Sequence, residues 1–164
     1  MKNKEELITD KFVFFWNGIY SQWYVRNILI DGVEYSSCEQ YMMAMKARTF
    51  NDSEAYLEIM ATNTPRIQKE WGRKVQGFDK YKWNEVCREI VYKGNLAKFT
   101  QYEDLREQLM ETGDRELVEA SPYDRIWGIG MDVDHPDLEN KAEWNGLNWL
   151  GEAITRVRET IKGN

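Results

Sequence analysis

Ile28-Leu29-Ile30-Asp31-Gly32-Val33-Glu34-Tyr35-Ser36-Ser37-Cys38-Glu39-Gln40-Tyr41 is the stretch on which the fold turns. Two β-prone runs, Trp23 to Ile30 and Val33 to Tyr35, flank Asp31-Gly32, a pair that supplies the positive φ angles of a tight hairpin turn. Directly afterwards Ser36, with Glu39 three residues on, reads as a capping box, so a helix is expected to begin there and run through Arg48. A hairpin that feeds straight into a helix sets an α+β reading.

Working upstream, Phe12 to Trp16 is an aromatic and β-branched run that suits a strand, and the polar first eleven residues suit a short helix or a loose arm. Downstream, Thr64-Pro65 is an N-cap followed by proline at the first helical position, predicting a helix to about Lys74. Trp83, Val86, Cys87, Ile90 and Val91 recur at helical spacing in a helix starting near Lys82. Another runs from Glu103 to Thr112 and stops at Gly113, and Leu117-Val118 suits a short strand. Ser121 to Glu143 carries loop chemistry; Leu147, Leu150, Ile154, Val157 and Ile161 mark a closing helix. No linker or repeat divides the chain. The expectation is an arm over 1–11 and one helix-dominated α+β domain over 12–164, with a small antiparallel sheet near the N-terminus.

A chain of 164 residues with 42% apolar content can bury about two-thirds of its unfolded surface. Seven Trp, nine Tyr and six Phe suit a core of large side chains, and equally a pocket whose flat walls stack a base. A net charge of -6 argues against gripping long nucleic acid, which needs a basic face, but permits a local basic pocket for a phosphate. Cys38 and Cys87 are far apart and in no metal-like spacing, and no apolar run approaches membrane-spanning length. The expected setting is cytoplasmic, with free thiols and an irrelevant sequon at Asn51-Asp52-Ser53.

Glu39 and Lys46 stand about two helical turns apart and share nearly one face. The ordinary reading makes Glu39 a cap and Lys46 a surface lysine. The functional reading puts a carboxylate and an amine in one cleft, where a desolvated lysine can lose its proton and act as a nucleophile. Ser121 to Gly130 places Asp124 beside Arg125, then Trp127 and the Gly128-Ile129-Gly130 run, which is either a packed turn or a backbone that a ligand can approach. Arg73, after Gly72, either satisfies a helix C-terminus or meets phosphate. Asp132, Asp134, His135, Asp137 and Glu139 lack a calcium-loop pattern, and a single histidine does not build a zinc site, so no metal is expected.

Taken in order, these segments resemble the NADAR, or YbiA-like, family from about Phe14 to Arg158. The landmarks are the Asp31-Gly32 hairpin leading to Ser37-Cys38-Glu39-Gln40-Tyr41, Ala44 with Lys46, Gly72-Arg73, Trp83, Lys98-Phe99, Thr112-Gly113, Leu117-Val118-Glu119, Ser121 to Gly130, and Gly146-Leu147-Asn148-Trp149-Leu150-Gly151. Departures are Gln40 where the family usually has His, Met43 in place of Gln, and Ser21-Gln22-Trp23 in place of Ser-Asn-Phe. The resemblance implies a YbiA-like fold and hydrolysis of an N-glycosidic bond between a phosphorylated ribose and an amino-bearing base. Implied substrates are ADP-ribose on guanine, free or in nucleic acid, and ribosylamino-pyrimidine intermediates of riboflavin synthesis. It implies Lys46 as nucleophile, Glu39 as acid/base or as the group holding Lys46 in position, and Asp124 as the group orienting ribose hydroxyls or water. Trp83 and Trp127 would stack on the substrate, Arg73 would meet phosphate, and Gly128 and Asn148 would complete its binding. No cofactor or membrane enters this reading. Its rival is a non-catalytic module that senses ADP-ribose or other NAD-derived ligands.

Overall fold

Asp31 and Gly32 take up φ angles of 51° and 80°, the left-handed pair that a two-residue hairpin turn requires. In the computed structural model, which describes residues 6–163, the elements in chain order are β1 (Glu6–Ile8), β2 (Phe12–Phe15), β3 (Ile28–Ile30), β4 (Val33–Tyr35), α1 (Cys38–Thr49), α2 (Ser53–Met60), α3 (Pro65–Arg73), α4 (Lys80–Gln101), α5 (Glu103–Glu111), β5 (Glu116–Glu119) and α6 (Trp149–Lys162), with a single 3-10 turn at Lys141–Glu143. They fall into two units, one formed by residues 22–101 and the other by the chain before and after them. The fold class is the α+β, helix-dominated one expected.

In the unit of residues 22–101, β3 and β4 pair antiparallel with Ile28 opposite Tyr35 and Ile30 opposite Val33. Ile28, Ile30 and Tyr35 point inward while Leu29 is exposed, as a one-sided hairpin demands. Gln101, at the end of α4, donates to the Leu29 carbonyl (2.7 Å) and accepts from its N–H (2.9 Å), closing the free strand edge. The first strand is shorter than the Trp23 to Ile30 expected.

α1 is the axis of this unit, buried from Cys38 through Ala44 and again at Ala47, with α2, α3 and α4 packed around it. A helix apolar or buried on every side belongs inside a bundle. Gly72 lets α3 come close: a Cβ there would lie 2.0 Å from the sulfur of Met43. Met43 thus fills the space opposite Gly72, a packing task for a residue that departs from the family pattern.

The capping expectation needs correction by one residue. The N-cap is Ser37, whose Oγ accepts from the Gln40 N–H at 3.1 Å. Gln40 completes the motif, accepting from the Ser36 N–H (2.6 Å) and donating to the Ile59 and Thr62 carbonyls (3.0 Å each). Gln40 therefore ties the hairpin, α1 and the end of α2 together, and Glu39 is not the capping residue.

The other unit is built on a mixed sheet of order β1-β2-β5. β1 runs antiparallel to β2, and β2 runs parallel to β5 with Val13 opposite Leu117. Residues 6–8 are thus a strand rather than a helix or loose arm; residues 1–5 of the predicted arm lie outside the described residues. All of Phe12–Phe15 is buried, so both faces of the sheet are covered. Phe12, Phe14, Val118 and Ala120 meet Ile129, Met131 and Leu138 of the following loop. α6 packs on β5 and buries Leu150, Ile154 and Val157. Leu147 lies outside α6 and is exposed, a correction to the closing-helix pattern. Buried Arg158 donates to the Thr112 hydroxyl (2.9 Å) and to the Arg115 carbonyl, which fastens α6 to the segment entering β5.

Candidate active site

Lys46 projects from α1 half-buried. Its Nζ lies 4.6 Å from the centroid of Phe78 and 5.9 Å from that of Trp83. Among the described residues it has no hydrogen-bond or ion-pair partner. Burial pushes this amine below the ordinary lysine value; the Glu39 carboxylate opposes that shift, and the Arg73 guanidinium adds to it. Glu39, itself 3% exposed, and Arg73, at the exposed end of α3, therefore both act electrostatically on Lys46. Trp83 thus stands beside the Lys46 amine, and Glu39 and Arg73 lie near enough to act on its charge.

Phe78 was not foreseen. It sits between α3 and α4 on a loop held at a distance by Asp52. One oxygen of Asp52 caps α2 by accepting from Ala55 N–H (3.0 Å), and the other accepts from Gln76 N–H (2.8 Å). Those backbone bonds hold the Asp52 carboxyl below its usual range. Phe78 then meets Phe50 edge-on at 5.4 Å. An isolated loop aromatic gives no periodic signal, and the only hint was its place after Gly77, which adopts φ 76°.

A second amine in this unit, Lys98, is also depressed by burial. It is 1% exposed and lies against Phe99 (5.0 Å) and Tyr24 (5.8 Å). A substrate carbon reaches a half-buried amine more readily than one enclosed on all sides, which favours Lys46 over Lys98 as a nucleophile.

Asp124, Trp127, Gly128 and Asn148 belong to the other unit, where they cluster at the start of α6. Ser121 Oγ accepts from the Tyr123 and Asp124 N–H groups (3.3 and 3.2 Å), and Asp124 Oδ1 accepts from Ile126 and Trp127 N–H (2.9 and 2.8 Å). The carbonyls of Ile126 and Trp127 in turn accept from Trp149 and Leu150 N–H (3.2 and 3.1 Å), which satisfies the first turn of α6. Trp127 packs edge-on against Trp149 at 5.7 Å. A Cβ on Gly128 would sit 2.9 Å from the Glu119 carbonyl, so the glycine serves a close approach of backbone to backbone. Asn148, in the left-handed conformation at φ 53°, donates to the Leu117 carbonyl (3.1 Å) and accepts from Glu119 N–H (3.0 Å). It is 2% exposed, so the task the structure displays for it is to extend the edge of β5.

Among the described residues no group of three or more His, Cys, Asp or Glu side chains is placed to hold a metal ion. No helix among them is long and apolar enough to cross a membrane.

Comparison with known proteins decides the family. The sequence model of the NADAR domain matches residues 14–162. The chain belongs to the NADAR family. It is 39% identical over 164 residues to "N-glycosidase R617" of Acanthamoeba polyphaga mimivirus, covering 92% of this chain and 96% of that protein. It is 34% identical over 171 residues to "Protein irg-1" of Caenorhabditis elegans, covering 93% of this chain and 81% of the relative. An NMR structure of the E. coli protein YbiA superposes with a TM-score of 0.77 at 25% identity, covering 98% of this chain and 90% of that one. The NADAR match extends slightly beyond the Phe14 to Arg158 span of the resemblance.

Proposed function

We propose that this NADAR protein is a hydrolase that cleaves an N-glycosidic bond between C1 of a phosphorylated ribose and the amino group of a base. The observation that carries the reading is the Lys46 amine. It is half-buried, shifted toward its neutral form, and set on the same helix face as buried Glu39. Relatives named N-glycosidases in a mimivirus and in Nostoc punctiforme support the reaction class.

Cleavage of such a bond leaves positive charge on C1 and negative charge on the departing nitrogen. Ring opening of the glycosylamine breaks the C1–O4 bond and gives an iminium at C1, with a proton delivered to O4. The neutral Lys46 amine adds to that carbon. Proton transfer from Lys46 Nζ to the base nitrogen, assisted by Glu39, breaks the C1–N bond and releases the base as a neutral amine. Water then adds to the resulting Lys46 Schiff base, which collapses to the free sugar phosphate and restores the lysine.

Arg73 supplies the positive charge for a phosphate, and Trp83 supplies a flat face for the base. The proposed substrates are ADP-ribose on guanine, free or in nucleic acid, and ribosylamino-pyrimidine phosphates; offering both kinds to the purified protein and following base release separates them. For Asp124 the proposed contact with ribose hydroxyls or water stands apart from its backbone bonds. Asp124→Asn, which keeps an acceptor for those bonds, tests it by loss of turnover with most of the thermal stability retained. Trp127 is likewise proposed to stack on substrate, and Gly128 and Asn148 to serve binding through the loop they hold together. The test of the whole reading is base release by Lys46→Ala and Glu39→Gln. Collapse of the rate in both supports it, and parent-like rates in both contradict it.

A further inference from the structure

The amine site has a cover that the reaction scheme does not use. Phe78 is 46% exposed, yet one face of its ring lies over Lys46 Nζ at 4.6 Å and its edge meets Phe50 at 5.4 Å. The loop that carries it is fixed after the ring by Asp79, whose Oδ1 accepts from Tyr81 and Lys82 N–H at the start of α4, and before it by buried Val75. Gly77 turns the chain at φ 76°, and the backbone immediately before it is fixed by the bond from Gln76 N–H to Asp52 Oδ2 at 2.8 Å. The other Asp52 oxygen is engaged by Ala55 N–H at the start of α2. One carboxylate thus couples the cap of a helix to the placement of the ring.

We propose that Asp52 and Phe78 are positioning residues: Asp52 anchors the loop, and the Phe78 ring controls the access of water to the Lys46 amine. The inference rests on reading Lys46 as the reacting amine, but the protonation of that amine can be followed without turnover. The charged groups that act on it are Glu39 from its own helix and Arg73 from α3; the uncharged faces are Phe78 from the loop and Trp83 from α4. Two effects of the ring compete. Its π face favours the ammonium, and its bulk excludes the water the ammonium needs. Burial lowers the Lys46 amine, and Phe78 closes one side of it at 4.6 Å, so removal of the ring admits water and favours the protonated amine.

Competitive labelling with acetic anhydride, read peptide by peptide in the mass spectrometer across pH, reports the midpoint at which Lys46 becomes neutral. Asp52→Asn retains a capping oxygen for α2, and asparagine caps as well as aspartate. With one oxygen where aspartate has two, it cannot hold both Ala55 and Gln76 N–H in this arrangement, so the stretch just before Phe78 loses its bond to α2. Expected are upward displacements of the midpoint in Asp52→Asn and Phe78→Ala, with the neutral fraction at pH 7 reduced about three- to tenfold. Phe78→Leu keeps an apolar cover and stays within about twofold of the parent. Thermal unfolding of the same proteins shows whether each is folded. A midpoint unmoved or lowered in both folded variants overturns the proposal. Should the midpoints move as expected in a protein that releases no base, the cover stands and the glycosidase reading fails.

Discussion

On α1, Lys46 keeps its amine clear of hydrogen bonds and ion pairs among the described residues, whereas after β5 the Asp124 carboxylate is engaged by two backbone N–H groups. The two stretches stood out in the sequence for different reasons, Glu39 and Lys46 for a shared helix face and Asp124 for a carboxylate beside Arg125, Trp127 and two glycines. Their surroundings differ in kind. Loop backbone buried without strand or helix partners needs acceptors, and Ser121 and Asp124 provide them. The backbone of α1 is satisfied within the helix and by its Ser37 cap, so the Lys46 side chain is not required for that purpose. A partly buried charge with no architectural task is the stronger mark of chemistry.

The largest effect expected from this contrast is at Lys46. Lys46→Met keeps the length and apolar stem of the side chain and removes the amine, so base release should fall by about 10³ or more, with circular dichroism unchanged. Glu39→Gln should lower the rate by about 10² to 10⁴ and, by withdrawing the charge that favours the ammonium, move the Lys46 midpoint down. The sign of the parent profile follows. Below its folded pKa Lys46 carries a proton and has no lone pair, so the rate climbs as pH rises through that pKa and then levels, at a midpoint below an ordinary lysine's.

The loop should respond through stability. Asp124→Ala removes two charge-assisted acceptor contacts, a loss of about 2 kcal/mol, seen as a thermal midpoint lower by roughly 4–8 °C. Asp124→Asn should retain most of that. An Asp124→Ala protein as stable as the parent would erase the contrast between the two regions. The smallest effect is at Arg73: Arg73→Ala should raise KM for a phosphorylated substrate about tenfold and move the Lys46 midpoint up, since a like charge has gone.

Local chemistry made much of this readable beforehand. Asp31-Gly32 announced its turn, Thr64-Pro65 announced α3, and the apolar recurrence through Val91 announced α4, though that helix begins at Lys80 rather than Lys82. The failures have local causes as well. Ser36 and Ser37 are adjacent, and each has an acceptor-bearing residue three positions on; only burial of Gln40 against the Ile59 and Thr62 carbonyls selects Ser37. α2 is eight residues long and has too little periodicity to announce itself. The parallel pairing of β2 with β5 joins segments about a hundred residues apart, and no local pattern encodes it. In the site, a shared helix face was enough to pair Glu39 with Lys46. Phe78 was invisible because its placement involves a bond from the Gln76 N–H to the Asp52 carboxylate, which is a tertiary contact.

The central claim is that the Lys46 amine bonds to the sugar carbon during turnover. Borohydride added to protein that is processing substrate, followed by intact and peptide mass spectrometry, tests it most directly. The account predicts a reduced sugar-phosphate adduct on the peptide containing Lys46, absent from Lys46→Met. Rapid base release with no adduct at Lys46 under trapping conditions would contradict it.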